Sequence, residues 1–317
     1  MDFTQLVLQA RPSLKINSAK AYATSLRLIA PENATSLDFL RETDQMLAKL
    51  EKFKHTTRRN YLNAIIVVLK GGDSENGDAE NDDHPEINDA LEIYEKVRDK
   101  YNEEYSEQVQ THQKTDRQKE MWIDWPDYLK IVDALAEQVE DYKPGDWTAL
   151  QKSRYQDYVV ALLYSRYPLR NDFAHVKIIS KADYKKLSQE QKKQANFIVQ
   201  HHSNKYFLVL NEHKTSKKYG EKNIEIDGAL LKPLRKWLRH NDSEYLLVNT
   251  KGLPLSSNGI TKVLNRIGTK HRGKPFGSSI LRHSYLSHKY AGVNDEKEKD
   301  ADLMGHSLQM QADYVKV

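Results

Sequence analysis

Four short runs of β-branched and aromatic residues interrupt a chain whose apolar residues otherwise recur at helical spacing. The runs are 175–179, 196–200, 206–210 and 224–226. A strand alternates its apolar residues or runs continuously apolar, whereas an amphipathic helix spaces them three and four positions apart. The sequence therefore predicts a mainly α protein with one small antiparallel β-sheet.

Helical periodicity on both sides of this β region predicts two helical parts of the chain. The predicted helices lie near 18–30, 36–53, from 56 or 57 onward, 86–110, 126–139, 151–166, 260–267 and 280–290. The 317 residues exceed the ~100–200 that one core usually serves, so two domains are expected. We predict an N-terminal domain over 1–112, a polar linker over 113–121 and a second domain over 122–317.

Composition excludes several classes of protein. The chain contains no cysteine, which rules out a disulfide framework and a thiolate metal site. No apolar run approaches the ~18 residues of a membrane-spanning helix, and the first residues lack the basic front and apolar core of a signal peptide. We therefore expect a soluble, intracellular protein that does not bind membranes.

Charge is separated along the sequence although the formal net charge is only +4. Residues 73–83 are acidic without a compensating base, whereas 262–289 contain seven Lys or Arg and no carboxylate. Such separation leaves a basic surface for a phosphate backbone. We predict that double-stranded DNA is the partner, contacted in this region by Lys262, Lys270, Arg272 and Lys274.

A second group of predicted DNA contacts lies at the start of the third helix, and comprises Lys54, Thr57, Arg58 and Arg59. The free N–H groups and the dipole of a helix N-terminus favour a phosphate. A solvated helix cap is the alternative that the sequence leaves open.

Three features of the last forty residues can act together on a phosphodiester. They are the Arg282-His283 pair, the Gly305-His306 step and Tyr314. Arginine binds two phosphate oxygens through its planar fork, and a phenolate can attack phosphorus. Each of these residues also has an ordinary structural interpretation, such as a packed tyrosine or a capping histidine.

The order of these motifs resembles the catalytic domain of tyrosine recombinases of the phage-integrase type. The resemblance covers about residues 120–317 and is carried by Leu281-Arg282-His283-Ser284-Tyr285, Leu303-Met304-Gly305-His306-Ser307, Pro168-Leu169-Arg170-Asn171-Asp172-Phe173 and His213-Lys214-Thr215-Ser216-Lys217. It implies a helical N-terminal domain that grips the other side of the duplex, so that the two domains form a DNA clamp. It also implies a homotetramer on two DNA duplexes.

The resemblance assigns a role to each matching residue. Arg170 and Arg282 hold the phosphate, Lys214 protonates the departing 5′ oxygen, and Tyr314 is the nucleophile. His306 hydrogen bonds a non-bridging oxygen or positions the phenol. Lys217 is the reserve for the lysine role and a predicted DNA contact. A surface ion pair between Arg170 and Asp172, and ordinary solvation of Lys214, are the structural alternatives.

The sequence departs from the family pattern in three places. Ser279 stands where the family has a histidine, and a hydroxyl cannot serve as a base near neutrality, so that acid-base role is weakened or passes to His283 or His306. The interval from His306 to Tyr314 is one residue shorter than the commonest family spacing, and three residues follow Tyr314. Ser279 and the Arg170–Phe173 variant resemble recombinases of large DNA viruses and mobile elements, which implies the host cytoplasm or nucleus.

These residues predict a site-specific recombinase or integrase that works through a 3′-phosphotyrosine without metal, ATP, other cofactor or small-molecule substrate. The sequence contains no HExxH motif and no Gly-rich phosphate loop. Two alternatives remain: a type IB topoisomerase, which rejoins the same strand, and a DNA-binding module whose catalysis has lapsed.

Overall fold

The computed structural model describes residues 1–72, 85–110, 113–202 and 204–304. The chain divides into two compact units, Met1–Gln113 and Lys114–Val317, which we call unit 1 and unit 2. Each unit buries its own apolar core. The predicted site residues His306 and Tyr314 lie outside the described residues.

Unit 1 is helical throughout its described ranges. Its α-helices are α1 (Phe3–Ala10), α2 (Ile16–Ile29), α3 (Thr43–Leu50), α4 (His55–Gly72) and α5 (Pro85–Gln110), with a 3₁₀ turn at Asp38–Leu40. Apolar residues at helical spacing fill its core. Leu26 and Ile65 are two of them, and both are completely shielded from solvent. The buried Tyr94 hydroxyl on α5 donates to the Leu40 carbonyl oxygen at 2.7 Å, which ties the 3₁₀ turn to the bundle.

Unit 2 is a helical domain built around one long central helix. Its helices are α6 (Asp116–Met121), α7 (Trp125–Glu137), α8 (Ala149–Arg166), α9 (Lys181–Lys186), α10 (Gln189–Lys193), α11 (Ser216–Tyr219), α12 (Gly228–His240), α13 (Ser257–Arg272) and α14 (Ser278–Met304). Helix α8 packs against α7, α12 and α13, and α14 packs against α7. Helix α6 lies inside the segment predicted as a linker, where Thr115 and Gln118 form a capping box.

A four-stranded sheet lies in unit 2 with the order β1-β2-β3-β4. Its strands are β1 (Lys177–Ser180), β2 (Phe197–His202), β3 (Lys205–Leu210) and β4 (Lys222–Glu225). The prediction of a mainly α protein with a small sheet is confirmed, with one correction, because the sheet is mixed. Strands β2, β3 and β4 pair antiparallel, but β1 pairs parallel to β2. The reason is the helical insert of α9 and α10, which returns the chain to the starting edge as a crossover connection does.

None of the helices in the described ranges combines the length and the apolar character that crossing a bilayer requires.

The start of α14 is set by a close approach between α13 and the segment that follows it. A Cβ added to Gly268 on α13 would lie 2.7 Å from the Lys274 carbonyl oxygen and 2.7 Å from Phe276 Cδ1. The fully buried Phe276 ring packs edge-on against Tyr128 with centroids 5.5 Å apart. Glycine at 268 therefore allows Phe276 to anchor the chain two residues before α14.

Replacing Gly268 with alanine should lower the free energy of unfolding by about 1–3 kcal/mol, because the added methyl group overpacks a backbone contact. Gly292→Ala is the matched control, since Gly292 also lies in a helix but a Cβ there meets nothing within 4 Å. This control should be neutral or stabilising by up to about 1 kcal/mol. Denaturant unfolding of both variants measures the difference, and equal effects would contradict the close approach.

Candidate active site

Arg170 lies in the turn after α8, and buried polar groups hold this turn from two sides. The Tyr164 hydroxyl lies 3.1 Å from both the Arg170 carbonyl oxygen and Asn171 Oδ1. Asn171 Nδ2 donates to the Ser257 carbonyl oxygen at 2.8 Å and to Thr261 Oγ1 at 2.9 Å. The backbone that carries Arg170 is thereby fixed to α8 and α13, while the Arg170 side chain is exposed.

Tyr164 is fully buried, and its environment keeps the hydroxyl protonated. Burial raises the pKa of the Tyr164 phenol far above its ordinary value, and the negative charge of Asp172 adds to the rise. A hydrogen bond with Ser278 and the positive charge of Arg282 oppose that rise. The phenol is therefore a hydrogen-bond donor at neutral pH and not a nucleophile.

Arg282 lies in the second turn of α14, where it is half-buried. Its Nε is buried without a hydrogen-bond partner among the described residues. Burial lowers the pKa of the Arg282 guanidinium, and the positive charge of Arg170 lowers it further. Segments that are distant in sequence thus place the two guanidinium groups close enough to repel each other electrostatically.

Neither Arg170 nor Arg282 forms an ion pair with a carboxylate in the part of the chain that the structure describes. The Asp172 carboxyl interacts electrostatically with both arginines. Burial raises the pKa of the Asp172 carboxyl, and the positive charges of His213, Arg170, Lys222 and Arg282 oppose the rise. Two guanidinium groups that repel each other, neither with a bonded carboxylate among the described residues, have the charge and the donors that attract an anion such as phosphate.

Lys214 lies in the connection between the antiparallel strands β3 and β4, as the sequence predicts. Its neighbour His213 is only 7% exposed, and the His213 ring hydrogen bonds to other residues of the same connection. His213 Nε2 donates to the Gly220 carbonyl oxygen at 2.9 Å, and the Thr215 hydroxyl donates to Nδ1 at 3.3 Å. The Lys214 side chain is exposed beside this anchored imidazole, and Lys217 is exposed on α11.

Ser279 is exposed in the first turn of α14, three residues before Arg282. Residues at this spacing lie on the same helix face, so the hydroxyl and the guanidinium can reach one ligand. His283 is exposed on the same helix. Arg170, Arg282 and Asp172 come together in the structure, and Ser279 adjoins Arg282. Lys214 lies on the β3–β4 connection, and the predicted residues His306 and Tyr314 lie outside the described ranges.

Sequence reasoning missed the residues that hold the Arg170 turn. Asn171 follows Arg170 directly, and an amide at a turn position commonly hydrogen bonds nearby backbone. That chemistry could have identified Asn171. Tyr164 sits on the apolar face of α8 and is indistinguishable from a packing residue in the sequence.

Within unit 1, the structure gives the predicted DNA contact Arg58 a structural role. Its Nε donates to the Phe53 carbonyl oxygen at 2.7 Å, and another guanidinium nitrogen contacts the Tyr101 hydroxyl at 3.3 Å. A further guanidinium nitrogen donates to the Glu51 carbonyl oxygen. Arg58 thus joins the connection between α3 and α4 to α5.

The other predicted contacts of unit 1 surround the start of α4. Lys54 is exposed, Thr57 is half-buried, and the Arg59 guanidinium lies 4.4 Å from the centre of the Tyr105 ring. Contact with DNA by all four residues stays a prediction.

The predicted DNA contacts of unit 2 lie on α13 and just after it. Lys262 and Lys274 are exposed. Lys270 Nζ donates to Gln138 Oε1 at 3.1 Å, and Arg272 donates to the Met121 carbonyl oxygen at 3.3 Å. Lys270 and Arg272 occupy the last turn of the helix, where its dipole favours cations whether or not DNA is bound.

No group of three or more His, Asp or Glu residues in the described ranges could hold a metal ion.

Replacing Arg282 with methionine should raise the free energy of unfolding by about 1 kcal/mol, because the change removes an unsatisfied buried donor and a like-charge contact. Sulfate should raise the melting temperature of the wild-type protein and have less effect on this variant. Thermal melts with and without sulfate measure both effects.

Arg266→Met is the matched control, because Arg266 pairs with the largely buried carboxylate of Asp157. Removing this partner should destabilise the protein by about 1–3 kcal/mol, since a buried charge is left unpaired. A loss of stability in Arg282→Met as large as that in Arg266→Met would contradict the uncompensated site.

No protein-family model matches the sequence, and no curated protein matches it. Among solved structures, the chain is similar to the XerH site-specific recombinase bound to difH substrate in a pre-cleavage complex, with 15% identity, 93% of this chain and 76% of that chain covered, and a TM-score of 0.44. The post-cleavage complex of XerH on palindromic difH shows 14% identity, coverage of 93% and 75%, and a TM-score of 0.43. The XerA recombinase shows 10% identity, coverage of 99% and 93%, and a TM-score of 0.35.

Proposed function

We propose that the chain is a site-specific DNA recombinase or integrase that cleaves and rejoins strands through a covalent 3′-phosphotyrosine. The supporting observation is the electrostatic interaction of Arg170, Arg282 and Asp172, with neither guanidinium in an ion pair among the described residues. Such an arrangement costs stability in the free protein, and a bound phosphodiester would compensate it. The order of the sequence motifs, which resembles that of tyrosine recombinases, supports DNA as the source of this phosphodiester.

In the cleavage step, Arg170 and Arg282 bind the non-bridging oxygens of the scissile phosphate, and the Ser279 hydroxyl donates to one of them. The Tyr314 phenol oxygen forms a bond to phosphorus as the bond from phosphorus to the 5′ oxygen breaks. The phenol proton passes to an imidazole, His283 or His306. Lys214 gives a proton to the departing 5′ oxygen.

In the rejoining step, the 5′ hydroxyl of a second strand attacks the phosphotyrosine and releases the Tyr314 phenol. The proton transfers are those of cleavage in reverse. The phosphotyrosine conserves the energy of the phosphodiester, so the sequence of steps requires no ATP and no metal ion. Exchange between two duplexes requires several protomers, which we propose form a homotetramer.

We propose that both units contact the duplex. In unit 2, Lys217, Lys262 and Lys274 are exposed and available to phosphates. The Arg170–Phe173 variant and Ser279 further support an origin in a virus or mobile DNA element.

Tyr314→Phe should abolish covalent attachment to DNA, because phenylalanine lacks the attacking oxygen. The wild-type protein is first incubated with a randomised library of nicked duplexes. Cleavage close to the nick releases a short fragment that carries the 5′ hydroxyl. Because this fragment diffuses away, the strand cannot be rejoined and the covalent adduct is trapped. Adducts that survive denaturing electrophoresis are recovered and sequenced, and the enriched duplex then becomes the substrate for both proteins. Tyr290→Phe, on the described and exposed part of α14, is the matched control and should form the adduct normally.

The products separate the competing functions. Joining of strands from two different duplexes supports a recombinase, whereas supercoil relaxation without such joining favours a topoisomerase. An adduct that persists in Tyr314→Phe, or DNA binding by the wild type without any adduct, would contradict the proposal.

Lys214→Ala should slow cleavage of the phosphodiester by about 10²- to 10⁴-fold, the range for loss of a general acid. A duplex with sulfur in place of the 5′ bridging oxygen should restore the rate, because a thiolate leaves without being protonated. Lys217→Ala is the control and should react similarly with both duplexes. Single-turnover cleavage rates measure these effects. If the sulfur-containing duplex restored the rate of Lys217→Ala and not that of Lys214→Ala, the assignment of the two lysines would be reversed.

A further inference from the structure

Asn196 lies directly before β2, is 6% exposed, and uses its whole amide group in hydrogen bonds. Its Nδ2 donates to the Asp172 carbonyl oxygen at 3.2 Å and to the Glu212 carbonyl oxygen at 2.9 Å. Its Oδ1 accepts from the backbone N–H groups of Asn211 at 2.9 Å and Glu212 at 2.8 Å. Such a fully satisfied buried amide fixes the segments that it joins.

The segments that Asn196 joins are those that carry two residues of the proposed active site. Asp172 lies two residues after Arg170, and Glu212 lies two residues before Lys214. One amide nitrogen therefore contacts both backbones at once. The Asn196 backbone carbonyl also accepts a hydrogen bond from Lys177 N at 2.9 Å. The residue that carries the side-chain amide is therefore itself held by β1.

No other side-chain hydrogen bond among the described residues links the Arg170 turn directly to the β3–β4 connection. His213 bonds within that connection, and Asn171 bonds to α13. The relative position of the Lys214 and Arg170 backbones thus depends on the Asn196 amide, on the pairing of the sheet, and on the Tyr167 hydroxyl, which donates to the Glu225 carbonyl oxygen of β4 at 3.1 Å. Of these, only the Asn196 side chain bonds directly to both segments.

We propose that Asn196 is a positioning residue for the strand-cleavage reaction. It holds the β3–β4 connection against the Arg170 turn, so that Lys214 reaches the leaving oxygen of the phosphate that Arg170 binds. This inference rests on the proposed function. It assigns to Asn196 no contact with DNA and no proton transfer of its own.

Asn196→Asp tests this role with a change of one atom. The carboxylate keeps acceptors for the Asn211 and Glu212 N–H groups, but it loses the two donors and places an oxygen against the Asp172 and Glu212 carbonyls. Repulsion between these oxygens should part the Arg170 turn from the β3–β4 connection.

Gln156→Glu is the matched control, because Gln156 is a second buried amide in the same unit. Its Nε2 donates to the Val248 carbonyl oxygen at 2.9 Å, and its Oε1 accepts from Val248 N at 2.8 Å. The substitution makes the same chemical change at a site of similar burial. The Gln156 side chain, however, joins α8 to Val248 and contacts neither segment of the proposed active site.

The measurement is the ratio of single-turnover cleavage rates on the sulfur-containing and ordinary duplexes. Because both rates come from one preparation, the ratio does not depend on the fraction of protein that is folded. We expect Asn196→Asp to cleave the ordinary duplex about 10²-fold more slowly than wild type and to regain most of that loss with sulfur. Gln156→Glu should keep the wild-type ratio even if it is less stable.

Two results would overturn the inference: an Asn196→Asp variant that matches wild type on the ordinary duplex, or one slowed equally on both duplexes. Asn196→Ser, which shortens the side chain without adding charge, is measured in the same way if the aspartate variant does not fold. Absence of cleavage by the wild-type protein on either duplex would instead refute the proposed function, so the two failures are distinguishable.

Discussion

The guanidinium groups of Arg170 and Arg282 repel each other electrostatically. The proposed site therefore depends on a fold that holds both groups in place against this repulsion. Arg170 is carried by a turn that hydrogen bonds to Tyr164 and, through Asn171, to α13. Arg282 is carried by α14, whose start is fixed by the burial of Phe276. The apolar core of unit 2 therefore stabilises two cations in proximity that would separate in a flexible chain. In the proposed complex, a phosphodiester between them would supply the missing negative charge.

The small sheet has a different role from the helices, since its strands carry the connection that contains Lys214. Strands β3 and β4 hold the connection in which Lys214 lies, and the buried His213 closes that connection. The mixed topology brings β1 alongside β2, which places Asn196 next to both the sheet and the turn after α8. Helices thus fix the proposed phosphate-binding groups, and the sheet fixes the proposed proton donor.

The sequence predicts the helices and strands well because their apolar periodicities are local. It also predicts the lysine on a hairpin, since Lys214 stands between two β runs. The parallel pairing of β1 was not predictable in the same way, because it depends on the path of the insert over 181–193. The structural bonds of Arg58 depend on where Phe53 and Tyr101 lie in three dimensions, so the sequence shows only a cation at a helix start. Asn196 has no sequence signal at all, because its four amide hydrogen bonds join backbone atoms of two distant segments.

In the proposed complex, Arg170 and Arg282 bind one and the same phosphate. The most direct test is a crystal structure of the Tyr314→Phe variant bound to the duplex selected by the wild-type protein. Both guanidinium groups should lie within about 3 Å of non-bridging oxygens of a single phosphate. A structure in which the two arginines contact different phosphates, or in which one of them contacts none, would contradict this proposal.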